Sequence, residues 1–375
     1  MVIFMNSPIT LSRKAADIYR QIYYHQASSR QLLANNLNIS LPIIAQNVNQ
    51  LLNLGLIYNA GELDSTGGRK ATMFSIVPNA RIAMGIDITK HYLGFVLVDL
   101  EATCIASKYL SLEFQNSNTY YQTISRIIET LLSENGISDD QFLGIGISLP
   151  GIVDTALNRL ILTSVFDSPE NLNAELSKWV HRPFQFVNDA NAAGWAESRN
   201  CGNKRNMVYL SLSNSVGGAI ILNDQLYIGD NYRGAEFGHM TVVPNGKRCY
   251  CGRYGCLDAY CSAQNLSDYT DGDLDRFFHT IRNNQNKGMG AFFDDYLEHL
   301  AIGISNIRMC TDCDIVLGGL VGPYLEEYID DLRLRVLMHT PFEHSAEYLR
   351  ICSHTEQPSS IGAALYYIDK FVHEL

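Results

Sequence analysis

Three cysteines and one histidine carry the most specific chemical signal in this chain of 375 residues. Cys249, Cys251 and Cys256 fall in the run CYCGRYGC, and His239 precedes them by ten residues. Three thiolates and one imidazole make the closed tetrahedral set that structural zinc prefers. Gly252 and Gly255 let the loop fold around an ion, and no coordination position stays open for catalysis. The plain alternative is a reduced cysteine-rich loop without metal. The spacing suits a metal better than disulfides, so one structural Zn²⁺ per chain is expected. Cys310 and Cys313 form a further CxxC, but they lead into the apolar run DIVLGG and read as small core or edge residues.

A second group consists of amides and carboxylates. Asn188 and Asp189 end the strand-like segment FQFVNDAN, Glu236 and His239 share GAEFGH, and Asp258 follows Cys256 by two residues. A pyranose needs several paired donors and acceptors in a rigid cleft, which such a set can supply. The zinc segment HM-(x)₈-CYCGRYGC beside EFGH, with NDANAAGWAE and ISLPGIVD, closely resembles the ROK family of repressors and sugar kinases. The resemblance runs over essentially the whole chain. It implies sugar-hydroxyl contacts at Asn188, Asp189, Glu236, His239 and Asp258. In kinase members the counterpart of Asp189 is the general base that deprotonates the attacking hydroxyl. Asp258 departs from the family pattern, which mostly carries Glu there, so the carboxylate is one methylene shorter and the identity of the sugar stays open.

The phosphate loops depart further. Such loops need glycines so that backbone N–H groups can reach the phosphates. ROK kinases read Asp-x-Gly-Gly-Thr in the first turn, whereas here the segment is Asp87-Ile88-Thr89-Lys90-His91. The second loop, Gly-Thr-Gly-x-Gly in those kinases, is Ser213-Asn214-Ser215-Val216-Gly217. Gly318-Gly319 survives near the expected adenosine position. No catalytic residue is therefore expected, and Asp189 becomes a vestigial base position. The alternative is an ATP-dependent sugar kinase, with Asp87 still able to hold magnesium.

These residues need elements to position them. Ala15, Ile18, Tyr19 and Ile22 recur at helical spacing. A second helix begins after Ser28 or Ser29, with Leu32, Leu33 and Leu37 inward. A third follows Ser40, with Ile44, Val48, Leu51 and Leu52 inward and Gly55 as its stop. Helix, short turn, helix and then a hairpin tipped by GELDSTGGRK is the pattern of a winged helix-turn-helix. It resembles the family's repressor branch, with its xylose- and N-acetylglucosamine-type regulators. Ile43, Gln46, Asn47 and Gln50 should face outward on the third helix to read A·T-rich sequence, with Arg69 and Lys70 at the hairpin tip.

From Arg81 onward, strand-like alternation, a helix and a glycine-rich turn occur twice, which predicts two similar α/β halves. The fold class expected is α/β: an actin-like (ribonuclease-H-like) two-lobed ROK domain over 81–375 behind a winged helix-turn-helix over 1–80. Lobe one spans about 81–188 plus the C-terminal helix 359–375, and lobe two about 189–358. Residues 1–80 hold six Lys/Arg against three acids, although the whole chain carries −11. A mildly basic head on an acidic body fits contact with double-stranded operator DNA through the head alone. The expected effector is a monosaccharide or sugar phosphate, and reading a palindrome calls for a homodimer or homotetramer. No apolar run reaches membrane-spanning length, so a cytoplasmic protein with no membrane partner is expected.

Overall fold

The computed structural model describes residues 11–62, 71–199, 205–283, 285–353 and 356–375. In the head, Ser12 caps helix α1 (Arg13–His25) by accepting from the Ala15 N–H at 3.2 Å. Ala15, Ile18, Tyr19 and Ile22 are all buried, as their spacing predicts. After strand β1 (Ser28–Ser29), Ser29 caps α2 (Arg30–Leu37). Leu33 faces the core, but Leu32 is 43% exposed, against the inward assignment. Adjacent helical residues lie about 100° apart, and a two-turn helix with Leu33 inward turns Leu32 outward. Asn38 takes a left-handed conformation (φ 54°) and leads to α3 (Leu41–Asn53), whose N-cap Ser40 makes no side-chain capping bond. β2 (Ile57–Glu62) and β3 (Thr72–Ile76) pair antiparallel, with β1 on the far side of β3.

The body contains two five-stranded sheets. The first uses β4 (Ile82–Ile88), β5 (Tyr92–Asp99), β6 (Cys104–Ser111), β7 (Phe142–Leu149) and β10 (Phe184–Asn188). Helix α4 (Asn118–Glu134) covers one face with Tyr121, Ile124, Ile128 and Leu131. A small hairpin, β8 (Ile152–Asp154) and β9 (Arg159–Leu162), and α5 (Leu172–Ser177) precede β10. Helix α6 (Asp189–Ser198) then leads into the second sheet: β11 (Met207–Leu212), β12 (Val216–Leu222), β13 (Gln225–Leu226), β14 (Asp314–Gly318) and β15 (Leu349–Ile351). Its helical cover comprises α7 (Asp258–Cys261), α8 (Ala263–Ser267), α9 (Leu274–Arg282), α10 (Lys287–Thr311) and α11 (Ile329–His339).

The spatial orders are β6-β5-β4-β7-β10 and β13-β12-β11-β14-β15. Numbered within each sheet, both read 3-2-1-4-5: an antiparallel meander with two parallel strands added beside its first strand. The repeat seen in the sequence is thus a repeat of topology.

The last helix, α12 (Pro358–Glu374), lies across the first sheet and beside α6. It approaches both backbone to backbone. A Cβ on Gly146 would sit 1.8 Å from the Ala363 carbonyl oxygen, and one on Gly362 would sit 1.7 Å from that of Ala192. Only glycine permits such contact, so α6, α12 and the first sheet are locked together. The head docks on the far end of the same helix. Ile18, Tyr19 and Ile22 share one apolar cluster with Leu365, Ile368 and Val372. Arg20 donates to the carbonyls of Val372 (3.0 Å) and His373 (2.9 Å). Among the described residues, no helix is long and apolar enough to cross a membrane.

Candidate functional site

The metal-type loop runs from the short helical turn Phe237–His239 to the start of α7. Gly255 makes its tightest turn, at φ 79°, with the Val243 carbonyl 1.7 Å from where a Cβ would stand. No other residue fits there, and this turn aims Cys256 back at Cys251. The two sulfurs lie 3.8 Å apart, Cys249 Sγ lies 3.9 Å from His239 Nδ1, and all four ligand atoms lie within 4.8 Å of one another. A disulfide would need about 2.05 Å. Tetrahedral thiolates bound at about 2.3 Å stand about 3.8 Å apart, so the donor set fits a four-coordinate ion. Burial raises the Cys249 and Cys256 thiols above their ordinary values. A divalent cation is what makes the thiolate favourable in such a place. The structure therefore holds a Cys₃His cluster able to bind a metal.

The other nitrogen of His239 faces away from the sulfurs. Nε2 lies 3.4 Å from the Tyr250 hydroxyl and 4.0 Å from a Glu236 carboxylate oxygen. The imidazole thus joins the metal-type cluster to the acidic set. Tyr250, between two of the cysteines, packs edge-on against His239 and lies within the fields of Asp258 and Glu236. The sequence reading missed this residue, although its place inside CYC was a usable signal.

Asp189 is the first residue of α6, at the carboxyl end of β10. Burial pushes its carboxyl up to about 7, and the charges of Asp87 and Glu236 add to the shift. Burial raises Glu236, which is half-exposed, while His239 and Arg233 pull it back. Burial likewise pushes Asp258 up to about 6; it is 4% exposed and turned toward the Val216 N–H at 3.5 Å. The Asn188 side chain is already engaged. Its oxygen caps α6 at Asn191 N–H, and its Nδ2 donates to the Gly151 carbonyl and to Asp189. Asp189, Glu236 and His239 therefore converge. Asn188 donates to Asp189 and so helps to orient it, and the buried Asp258 acts on Tyr250 through its charge. Such a set can accept several sugar hydroxyl hydrogen bonds.

Asp87, at the end of β4, faces this set from the first sheet. Its two oxygens accept from Ser148 Oγ (2.7 Å) and Tyr92 OH (2.9 Å), and it is 7% exposed.

In the head, α3 exposes Gln46 and Gln50 and half-buries Ile43. Asn47 is a correction to the outward set: it is 7% exposed, donates to the Ile43 carbonyl at 2.7 Å and accepts from Ser12 Oγ at 3.1 Å. It ties α3 to the start of α1, and Asn49 lies on the exposed face instead. The spacing misplaced Asn47 because it stands three residues after Ile44 and one before Val48, on the edge of the buried stripe. Arg69 and Lys70 lie outside the described residues.

The chain thus combines an α/β body of two topologically repeated sheets, a Cys₃His loop and a helix-turn-helix head. The ROK family model matches residues 83–370, and the chain belongs to that family. It is 27% identical over 251 residues to the xylose repressor of Bacillus subtilis, covering 66% of this chain and 65% of that protein. The chain thus spans about two thirds of that relative's length. Among solved structures, a ROK family transcriptional regulator, homologous to the E. coli MLC protein, superposes with a TM-score of 0.77 at 19% identity, covering 96% of both chains. A ROK hexokinase from Thermus thermophilus superposes with a TM-score of 0.64 at 22% identity, covering 76% of this chain and 97% of its own. The superposition on the regulator extends over the head as well, whereas that on the hexokinase covers about three quarters of the chain. The actin-like body with an N-terminal helix-turn-helix is the fold expected from the sequence.

Proposed function

We propose that the protein is a sugar-responsive DNA-binding repressor of carbohydrate-utilisation genes, whose operator affinity changes when a monosaccharide or sugar phosphate binds between the lobes. One observation carries the reading. Asp189 begins α6, α6 packs backbone to backbone on α12, and Arg20 of the head grips the last turn of α12. A sugar that shifts α6 thereby acts on the helix that seats the head. Asp189, Glu236 and His239 supply the hydroxyl contacts, with Asn188 and Asp258 in support. Ile43, Gln46, Gln50, Arg69 and Lys70 supply DNA contacts, in a homodimer or homotetramer on a palindromic operator.

His239, Cys249, Cys251 and Cys256 would hold one structural Zn²⁺, which supplies four bonds that fix the loop carrying His239 and Asp258 and no chemistry at the sugar. The protein is read as non-catalytic. The two oxygens of Asp87 accept from Ser148 and Tyr92, and of the glycines expected in the two phosphate segments only Gly217 remains.

Calorimetry against monosaccharides and their phosphates, with operator binding measured in parallel, tests the reading. A sugar should bind at micromolar to millimolar Kd, lose at least tenfold with Glu236→Ala, and alter operator affinity. A sugar that binds without altering operator affinity would break the proposed link. Asp189, with its carboxyl near 7, favours the kinase reading instead. ATP-dependent sugar phosphorylation near 10 per second, an ordinary enzyme rate, would establish that alternative.

A further inference from the structure

Against α6, with none of Asp189, Glu236 and His239 in its lining, lies a cavity of about 570 Å³. Its walls are one face of α6, the face of α12 that runs from Gly362 to Glu374, β8 and the end of β10 at Val153 and Val187, and the turn and strand from Asp224 to Leu226 with Tyr232 beyond. That volume falls within the range of small-molecule sites. It shares only Asn188 with the acidic set of the cleft, so a ligand here would not touch Asp189 or Glu236.

The lining has a definite chemistry. Trp195, Tyr366 and Tyr232 present aromatic surface, and Asn191 presents an amide. The Asn191 Oδ1 is buried with no hydrogen-bond partner. Buried oxygens are nearly always paired, so a bound donor has a place here. Three carboxylates (Asp224, Asp369, Glu374) face one lysine, Lys370. Two of them are fixed: Asp369 accepts from the Trp195 indole at 2.6 Å and pairs with Arg199, and Asp224 pairs with Arg205 at 2.8 Å. Flat aromatic walls suit the C–H faces of a pyranose ring, and the amide and carboxylates suit its hydroxyls. Each carboxylate already has a cationic partner, Asp369 in Arg199, Asp224 in Arg205 and Glu374 in Lys370, so none of these cations is left to recognise a phosphate.

The position matters as much as the chemistry. Tyr366, Asp369 and His373 line the cavity from α12, and the Val372 and His373 carbonyls are the ones gripped by Arg20 of the head. Tyr24 of the head also lies 3.5 Å from His373 Nε2. Asp369 binds Trp195 inside the cavity and Arg199, which borders a crevice lined by Tyr23 and Tyr24 of the head. We propose that this cavity is a second effector site, for a neutral pyranose sugar or glycoside, acting on the DNA-binding head through the end of α12.

The chain has two tryptophans, so Trp179→Phe leaves Trp195 as the sole indole reporter. This full-length variant is titrated to 100 mM with D-xylose, D-glucose, N-acetyl-D-glucosamine, methyl β-D-glucopyranoside and glucose 6-phosphate. At least one neutral sugar should give a saturable change in Trp195 emission, and the phosphate should not. Added Asn191→Ala should weaken that response at least tenfold. Lys370→Tyr, at an exposed rim position, should do the same by crowding the mouth, should Asn191→Ala fail to fold. Added Asp189→Ala should leave the response within twofold while abolishing cleft binding in calorimetry, which separates the two sites. The same sugar should shift operator affinity at least threefold with Asp189→Ala present, and Arg20→Ala should remove that shift. Absence of a response to every neutral sugar, a response lost with Asp189→Ala, or an unshifted operator affinity would each overturn the proposal.

Discussion

Two carboxylates at strand ends of the first sheet lie within each other's field, and their surroundings differ. Asp87 ends β4 with both oxygens accepting hydroxyl hydrogen bonds inside its own sheet, from Tyr92 on β5 and Ser148 on β7. Asp189 follows β10 and receives the amide of Asn188 and backbone N–H groups at the start of α6, with no hydroxyl donor from a neighbouring strand among the described residues. One carboxylate is closed off by the strands around it, and the other keeps lone pairs for a ligand. In a kinase both sides must serve the reaction, one holding the sugar and the other the metal and phosphates. In the proposed reading the sugar side is kept and the phosphate side is lost. The metal-type loop deepens the contrast, because it braces only the sugar side.

The strongest way to break the comparison is to remove that brace. Cys251→Ala, or a chelator, should cost more than about 4 kcal/mol, read as a fall in Tm and in metal content. Sugar binding should vanish with it. Metal content well below one equivalent in folded protein that still binds sugar would contradict the assignment.

Asp189→Asn should separate stability from binding. The carboxyl stands at about 7 in the folded protein against an ordinary 3.8, so its ionisation opposes folding. That penalty is absent below about pH 4, grows as pH rises through the interval and is complete above about pH 7. At about 1.4 kcal/mol per unit, the variant should gain up to about 4 kcal/mol at pH 8 and almost nothing at pH 4. Denaturant titrations at the two pH values measure this. Sugar affinity should fall at least tenfold at the same time, and equal stability gains at both pH values would exclude ionisation as the cause.

Asn47→Ala tests the head. Loss of its bonds to Ile43 and Ser12 should cost about 1–3 kcal/mol of stability without relaxing base preference. Selection of binding sites with Gln50→Ala, by contrast, should show relaxed preference at one base pair. The smallest effect is expected of Tyr92→Phe, about 1 kcal/mol. It removes a hydrogen bond that favours the ionised form, so the Asp87 pKa should rise further, as read by carboxyl-carbon NMR. It should not create phosphoryl transfer, since the glycine-poor segments remain.

How much was legible differs from region to region. The Cys₃His loop was readable because its geometry is local: three ligands and two glycines lie within eight residues, and ligand chemistry restricts the choice of ion. The inward residues of α1 and α4 followed from a period of 3.6 alone. Leu32 and Asn47 were misplaced because both lie at the margin of a stripe, where the neighbouring helix decides what is covered.

The sequence by itself determined the family, the ligand chemistry of the loop, and which carboxylates were available. Residue type and near-neighbour spacing are sufficient for those. The tertiary structure decided which oxygens remain free. Whether Asp87 is sealed depends on Tyr92 and Ser148 arriving from two other strands, the second of them 61 residues away. Whether the cleft communicates with the head depends on Gly362 meeting Ala192, and on Arg20 meeting Val372 from 352 residues away. Such contacts are created by packing, whose energetics depend on distance in space, so no local pattern along the chain encodes them.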